Sequence, residues 1–333
     1  MSKIASLLAQ ELNANENQVI AATQLLDEGA TVPFIARYRK EATGGLDDTQ
    51  LRLLEQRLGY LRTLEERREF ILKTIKEQDK LTAQLEHDIK ATNSKTELED
   101  LYLPFKAKRR TKGQIAIEAG LEPLANSLFS QPSLTPENEA QKYLNPEHKI
   151  SETKDALDGA KFILIERFAE DAKLHAKLRR QINQYGVIES KLIKGKENEG
   201  AKYQDYFEHT ENLKKVPSHR ALAMLRARSA GVVQVKIIPD PSLERPEGIC
   251  INIIAKHFDI DLKNNPASEW LLSVVQTCWK AKLSLHLENE FLGSMRDKAE
   301  SGAIDVFAKN LKDLLMAAPA GPRVTLGLDP GLR

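Results

Sequence analysis

Cysteine is almost missing from the 333 residues: Cys250 and Cys278 stand alone, each beside apolar neighbours (Ile249 and Ile251; Trp279). Two thiols make no disulfide framework, and without a Cys-x-x-Cys pair they make no zinc knuckle, so both read as buried and reduced. Aromatic residues reach only 6%, too few for sandwiches or barrels, which favour aromatic and β-branched side chains. An excess of one charge is also missing. The 49 Lys and Arg against 48 Asp and Glu leave +1, so no global field draws the chain to nucleic acid or to an anionic membrane, and any such attraction is local. No run of ~18 apolar residues occurs, and Met1-Ser2-Lys3-Ile4-Ala5-Ser6 does not lead into an apolar core. The expectation is a cytoplasmic protein with no membrane partner.

What the chain does have is charge in balance, at 29%, with 41% apolar residues, the mixture of a solvated helical protein. A length beyond the ~250–300 residues at which one core stops growing argues for more than one unit. The expected fold class is mainly α: a multi-helical scaffold with helix-turn-helix-like units, a long central helix and few short strands. Residues 2–40 carry three short amphipathic patterns (Ile4, Leu7, Leu8, Leu12; Val19, Ile20, Ala22, Leu25, Leu26; Phe34, Ile35, Tyr38), with Gly29 closing the second and Thr31 and Pro33 opening the third. Asp47 opens a long helix through Leu51, Leu54, Leu58, Leu61, Leu72 and Ile75, interrupted by Glu65 and Arg68, with residues 82–91 folding back on it. Thr96-x-x-Glu99 has the spacing of a capping box.

Prolines 132, 136 and 146 mark a surface connection, and helices resume at 153–169 and 171–185. Residues 186–196 fit strand or helix, whereas Val232–Ile238 alternates as a strand. After Pro266 the longest helical stretch runs through Leu271, Val274, Cys278, Ala281, Leu285, Leu292 and Met295, with Ile304, Phe307, Leu311 and Leu314 continuing its seam. The tail, Val324-Thr325-Leu326-Gly327-Leu328-Asp329-Pro330-Gly331, alternates as a strand that needs partners, so the expectation is a longer protein whose sheet follows residue 333. The expected regions are 1–195, 196–321 and 322–333.

Two basic clusters are candidates for phosphate contact: Lys106, Lys108, Arg109, Arg110 and Lys112, preceded by Tyr102 and Phe105, and Arg37, Arg39 and Lys40 around Tyr38. Cations neutralise phosphates and aromatic rings stack bases. A solvated loop over core aromatics is the competing reading of the first cluster, and helix C-terminal capping that of the second. No Gly-x-x-x-x-Gly-Lys-[Ser/Thr], His-Glu-x-x-His or Gly-x-Ser-x-Gly pattern occurs. The seven histidines are scattered, and nearly all read as ordinary surface or satisfied residues. No catalytic residue, metal ligand or cofactor is expected.

Taken together, Gly29–Lys40, the run Leu98-Glu99-Asp100-Leu101-Tyr102-Leu103-Pro104-Phe105-Lys106 through Lys112, Val216-Pro217-Ser218-His219-Arg220, Val306–Leu311 and Ala317-Ala318-Pro319 resemble the bacterial Tex family along the whole chain. The resemblance implies a transcription accessory protein in which a helical N-terminal region precedes a YqgF/ribonuclease-H-like domain, helix-hairpin-helix motifs and an OB-fold RNA-binding domain. Leu326-Gly327-Leu328-Asp329-Pro330-Gly331-x-Arg333 looks like the first YqgF strand. Ala107, Ala227 and Ala230 depart from the family pattern. The function so implied is nucleic-acid binding, RNA ahead of duplex DNA and with single-stranded DNA as a further ligand. It would act mainly through further C-terminal domains, with RNA polymerase as a candidate partner and no catalysis. Two alternatives stand beside it. A helix-turn-helix regulator would read duplex DNA with residues 33–40, and a metal-dependent ribonuclease-H-like nuclease would need carboxylates beyond Asp329.

Overall fold

The computed structural model describes residues 2–107, 109–242, 244–319, 321–324 and 326–328. It is mainly α, as the composition implies. The chain divides into two compact units, Met1–Thr111 with Glu170–Ala176, and Lys112–Ala169 with Lys177–Arg333.

The first unit is built on one long helix. Helices α1 (Ser2–Leu12), α2 (Glu16–Asp27) and α3 (Val32–Tyr38) pack on α4 (Asp48–Glu77), and α5 (Ala83–Ala91) and α6 (Lys95–Tyr102) return along it. At the start of α4, Asp47 accepts the N–H of Gln50 at 2.7 Å and the Gln50 side chain accepts the N–H of Asp47 at 3.1 Å, so two orphan donors are satisfied reciprocally. Leu51, Leu54, Leu58, Leu61, Leu64, Ile71 and Ile75 then follow at helical spacing on the buried face. Full burial of one such side chain is worth ~1.5–3 kcal/mol, whereas an exposed pair such as Arg52–Asp48 on the same helix contributes only ~0.3–0.5. Packing of this stripe therefore decides the fold.

Arg68 is no interruption of the stripe. It is 4% exposed and lies on the core face, where its Nε donates to the Ile89 carbonyl at 3.1 Å and one terminal nitrogen to the Thr92 carbonyl at 2.7 Å, while the other meets Glu65. A guanidinium can enter the core here because it caps the C-terminal carbonyls of α5. The helix-opening residue ahead of α6 is Ser94, whose hydroxyl accepts the Glu97 N–H, rather than Thr96.

In the second unit, α7 (Lys112–Glu118), α8 (Glu122–Ser130) and α9 (Pro136–Ala140) surround α10 (Thr153–Ala169). A Cβ on Gly159 would fall 2.3 Å from Leu121 Cδ1, so the bare backbone of α10 is what admits Leu121 so closely. The stretch read as a surface connection includes α9, whose Pro136 and Ala140 are buried. Helix α11 (Ala172–Tyr185), whose first turn belongs to the first unit, leads to an antiparallel sheet of order β2-β1-β3. Its strands are β1 (Val187–Leu192), β2 (Glu208–Asn212) and β3 (Val233–Ile238), with Val187 opposite both Asn212 and Ile238. The ambiguous residues thus form the central strand. Residue 195, where the first two expected regions meet, lies in the turn after it.

Helix α12 (Ser218–Ser229) packs on β3, and α13 (Gly248–His257) on α14 (Ser268–Cys278). Between α14 and α15 (Ser284–Leu315) lies one π turn, Trp279–Leu283. It resets the buried face. Val274, Val275 and Cys278 are buried before it and Trp279, Leu283 and Leu287 within and after it, whereas Ala281 and Leu285 of the expected seam are exposed. Beyond Ala299 the seam continues without cover: Ile304, Phe307 and Leu314 are each about two-thirds exposed or more, and Leu311 is 42% exposed. Of the expected terminal strand, Val324, Leu326 and Leu328 are exposed and in no sheet, and Asp329, Pro330, Gly331 and Arg333 lie outside the described residues.

Candidate nucleic-acid interface

Helix α3 starts after extended Thr31, with Pro33 in its first turn, where a missing N–H costs nothing. Its spacing sends Val32 and Ile35 into the core and Phe34, Arg37 and Tyr38 outward. Phe34 and Tyr38, read as part of an apolar packing face, are 42% and 68% exposed. Four residues apart, their rings meet on the outer surface with centroids 5.4 Å apart and planes inclined at 45°. The Arg39 guanidinium lies 5.8 Å from the Phe34 ring centroid, within cation–π reach.

The loop after α3 fixes this surface. Arg39 and Lys40 turn their carbonyls inward: that of Arg39 accepts the Thr43 N–H at 3.2 Å, and that of Lys40 accepts the Gly45 N–H at 2.9 Å, while the hydroxyl of fully buried Thr43 is within reach of both. From α2, Gln18 Nε2 donates to the Gly44 carbonyl at 2.7 Å and the Thr43 carbonyl at 3.3 Å. With the main chain held on its inner side, the side chains of Arg37, Arg39 and Lys40 are exposed, and among the described residues none of the three forms an ion pair. Glu41 is the one acidic neighbour in the run from 37 to 43.

The other expected site residues divide. Lys106, Arg109 and Arg110 are exposed on the irregular segment after the 3-10 turn Leu103–Phe105, and Lys108 lies outside the described residues. Gln78 Nε2 anchors the start of that segment through the Phe105 carbonyl at 2.9 Å. Lys112 opens α7 in the second unit, with its Nζ 4.7 Å from the Phe162 ring centroid. The aromatics ahead of the basic run are not a stacking surface. Tyr102 is 5% exposed, with the Arg67 guanidinium 5.3 Å from its ring centroid, and Phe105 is half-buried against the same core. The hydrogen bond from Arg67 holds the Glu99 carboxyl below its ordinary value against partial burial, with smaller help from Lys106 and Lys95.

Aromatic rings beside free cations therefore occur at 34–40, where the sequence offered one signal, the interleaving Arg37-Tyr38-Arg39-Lys40. Elsewhere, Cys250 and Cys278 are buried and burial pushes both thiols up to about 12, which makes them poor nucleophiles. His175 is no surface histidine: it is buried with its Nδ1 3.9 Å from an Asp100 carboxylate oxygen. No helix among the described residues is long and apolar enough to cross a membrane.

Comparison with known proteins agrees with this architecture. Residues 131–307 match the model for the Tex central region-like family and residues 2–76 the model for the Tex-like protein N-terminal domain. Protein YhgF of Escherichia coli is 59% identical over 329 residues, which is 98% of this chain and 43% of that protein. Transcriptional accessory protein Tex of Neisseria gonorrhoeae is 52% identical over 332 residues, again 43% of its length. The human S1 RNA-binding domain-containing protein 1 is 28% identical over 322 residues, 32% of its length. The chain thus spans less than half the length of these relatives. With the central model alone matching more than half of its residues, the chain belongs to the Tex family.

Proposed function

We propose that this chain is the helical part of a cytoplasmic transcription accessory protein that binds RNA in preference to duplex DNA, and single-stranded DNA as well. It works by binding and orienting, without bond chemistry, and RNA polymerase is a candidate partner. The names of two relatives, one a transcriptional accessory protein and one an S1 RNA-binding domain-containing protein, support the class. One observation carries the local assignment: Arg37, in the last turn of α3, and Arg39 and Lys40, on the loop whose backbone is tied down from behind, are exposed and form no ion pair among the described residues. Lys106, Arg109 and Arg110 extend the exposed cationic set, and Lys108 and Lys112 complete it in sequence.

Because the whole chain is nearly neutral, binding is weak and steeply salt-dependent. The test is fluorescence anisotropy of a labelled single-stranded RNA between ~50 and ~200 mM salt with wild type and an Arg37→Gln, Arg39→Gln, Lys40→Gln variant. Losing three phosphate contacts lowers the slope of log K against log salt by about 2. An unchanged slope and affinity would refute the assignment. The exposed side chains of α3 also keep the helix-turn-helix reading open, and a strong preference for one duplex sequence in competition would favour it.

A further inference from the structure

We infer that Phe34 and Tyr38 form a stacking subsite for an unpaired nucleobase of single-stranded nucleic acid, a deepening that rests on the binding function proposed above. The two rings are the exposed large aromatics of α3, and they lie side by side on its outer surface with a guanidinium at the edge. Neither ring is needed for packing, since Val32 and Ile35 supply the buried face. A pair of rings left in water is unfavourable by itself, and here it lies beside three cations that form no ion pair among the described residues. That combination suits a ligand with a flat aromatic face attached to a chain of anions. Protein partners with acidic surfaces offer the anions but not the repeated flat face.

The geometry also discriminates between single and double strands. Bases inside a duplex are stacked on each other and present only their edges, whereas a single strand can lay a base on the open face of Tyr38 while neighbouring phosphates meet Arg37 and Lys40. The platform is held in place before the ligand arrives. Thr43 and Gln18 fix the loop, and Arg39 is already against Phe34, so little ordering is required on binding.

The test uses the 333-residue chain and two strands of equal length and charge, a labelled 12-nucleotide adenine RNA and its abasic counterpart. The double variant Phe34→Ala, Tyr38→Ala should keep the wild-type circular dichroism and Tm. It should bind the adenine strand about 10-fold or more less tightly, bind the abasic strand as wild type does, and keep the salt slope. Tyr38→Trp should retain the adenine affinity. Equal binding of the adenine strand by wild type and the double variant, or an equal loss on both strands, would overturn the subsite. If the triple cation variant loses affinity while the aromatic variant does not, stacking is wrong and phosphate contact stands. If neither moves, both readings fall.

Discussion

Gln18 reaches from α2 to the carbonyl of Gly44 at 2.7 Å, while its own Oε1 accepts the N–H of Asn15 at 2.9 Å. One amide therefore caps a helix and pins the loop that carries Arg39 and Lys40. Gln18→Ala should cost about 1–2 kcal/mol in urea unfolding, for the lost cap and the loosened carbonyls. Gly44→Ala should cost a similar amount, because φ is +59° and the new Cβ would sit 2.9 Å from Gln18 Nε2. In the double variant the steric part vanishes and the backbone strain stays, so the two losses should sum to more than the measured total.

Arg68 supplies a second test. Replacing it with alanine leaves the Ile89 and Thr92 carbonyls without these donors and opens a gap in the core, for a loss of about 3 kcal/mol. Arg68→Lys keeps a charge but cannot span both carbonyls, and should recover less than half of the loss in the same denaturation experiment.

The two thiols give an alkaline signature. Burial raises both from 9.0 to about 12, so the folded chain holds these protons more tightly than the unfolded one. The associated stability is complete below about pH 9 and is lost as pH rises toward about 12. Below that window, a thiol reagent should react slowly with native protein and label both positions on unfolding. A Cys250→Ala, Cys278→Ala variant should show a shallower decline of stability with pH across it.

Acid acts on different groups. Hydrogen bonds from Arg57, Arg62 and Arg67 lower the carboxyls of Glu11, Asp27 and Glu99, each against a smaller opposing effect of burial. Their stabilisation is complete above the ordinary carboxylate range, begins to fade as pH enters it, and is lost as pH falls on through the lowered folded values. Arg67→Met should flatten the pH dependence of unfolding below about pH 4.5, and a curve superimposable on wild type would show that the Glu99 pair adds nothing.

Helix α15 should divide into two energetic halves. Leu287 is fully buried, and Leu287→Ala should cost about 2–5 kcal/mol. Phe307 is 66% exposed, and Phe307→Ala should change the unfolding free energy by less than about 0.5 kcal/mol.

Much of this architecture was legible because helices advertise themselves at short range. The limits of α10 match the expected 153–169, and Thr31, Pro33 and Asp47 mark helix starts through local backbone chemistry. What escaped depended on distant partners. The edge strand β2 reads Glu-His-Thr-Glu-Asn, with no apolar alternation to betray it. Tyr102 and Tyr38 carry similar sequence surroundings, an aromatic near cations, yet one is covered by Arg67 and the other faces water. The grip of Gln18 on Gly44 joins residues 26 apart and has no periodic signal at all.

The five-residue turn at Trp279–Leu283 sets the rotational phase of everything downstream. Wind the same residues as a plain α-helix, with no π turn to absorb the surplus one, and the later side chains swing by roughly 100° about the axis. Leu287 and Leu292 would then leave their sockets in the interior, and the ~48 Å shaft of α15 would aim its bare apolar ridge in a new direction. A single surplus residue thus governs which compass bearing Ile304, Phe307 and Leu311 face.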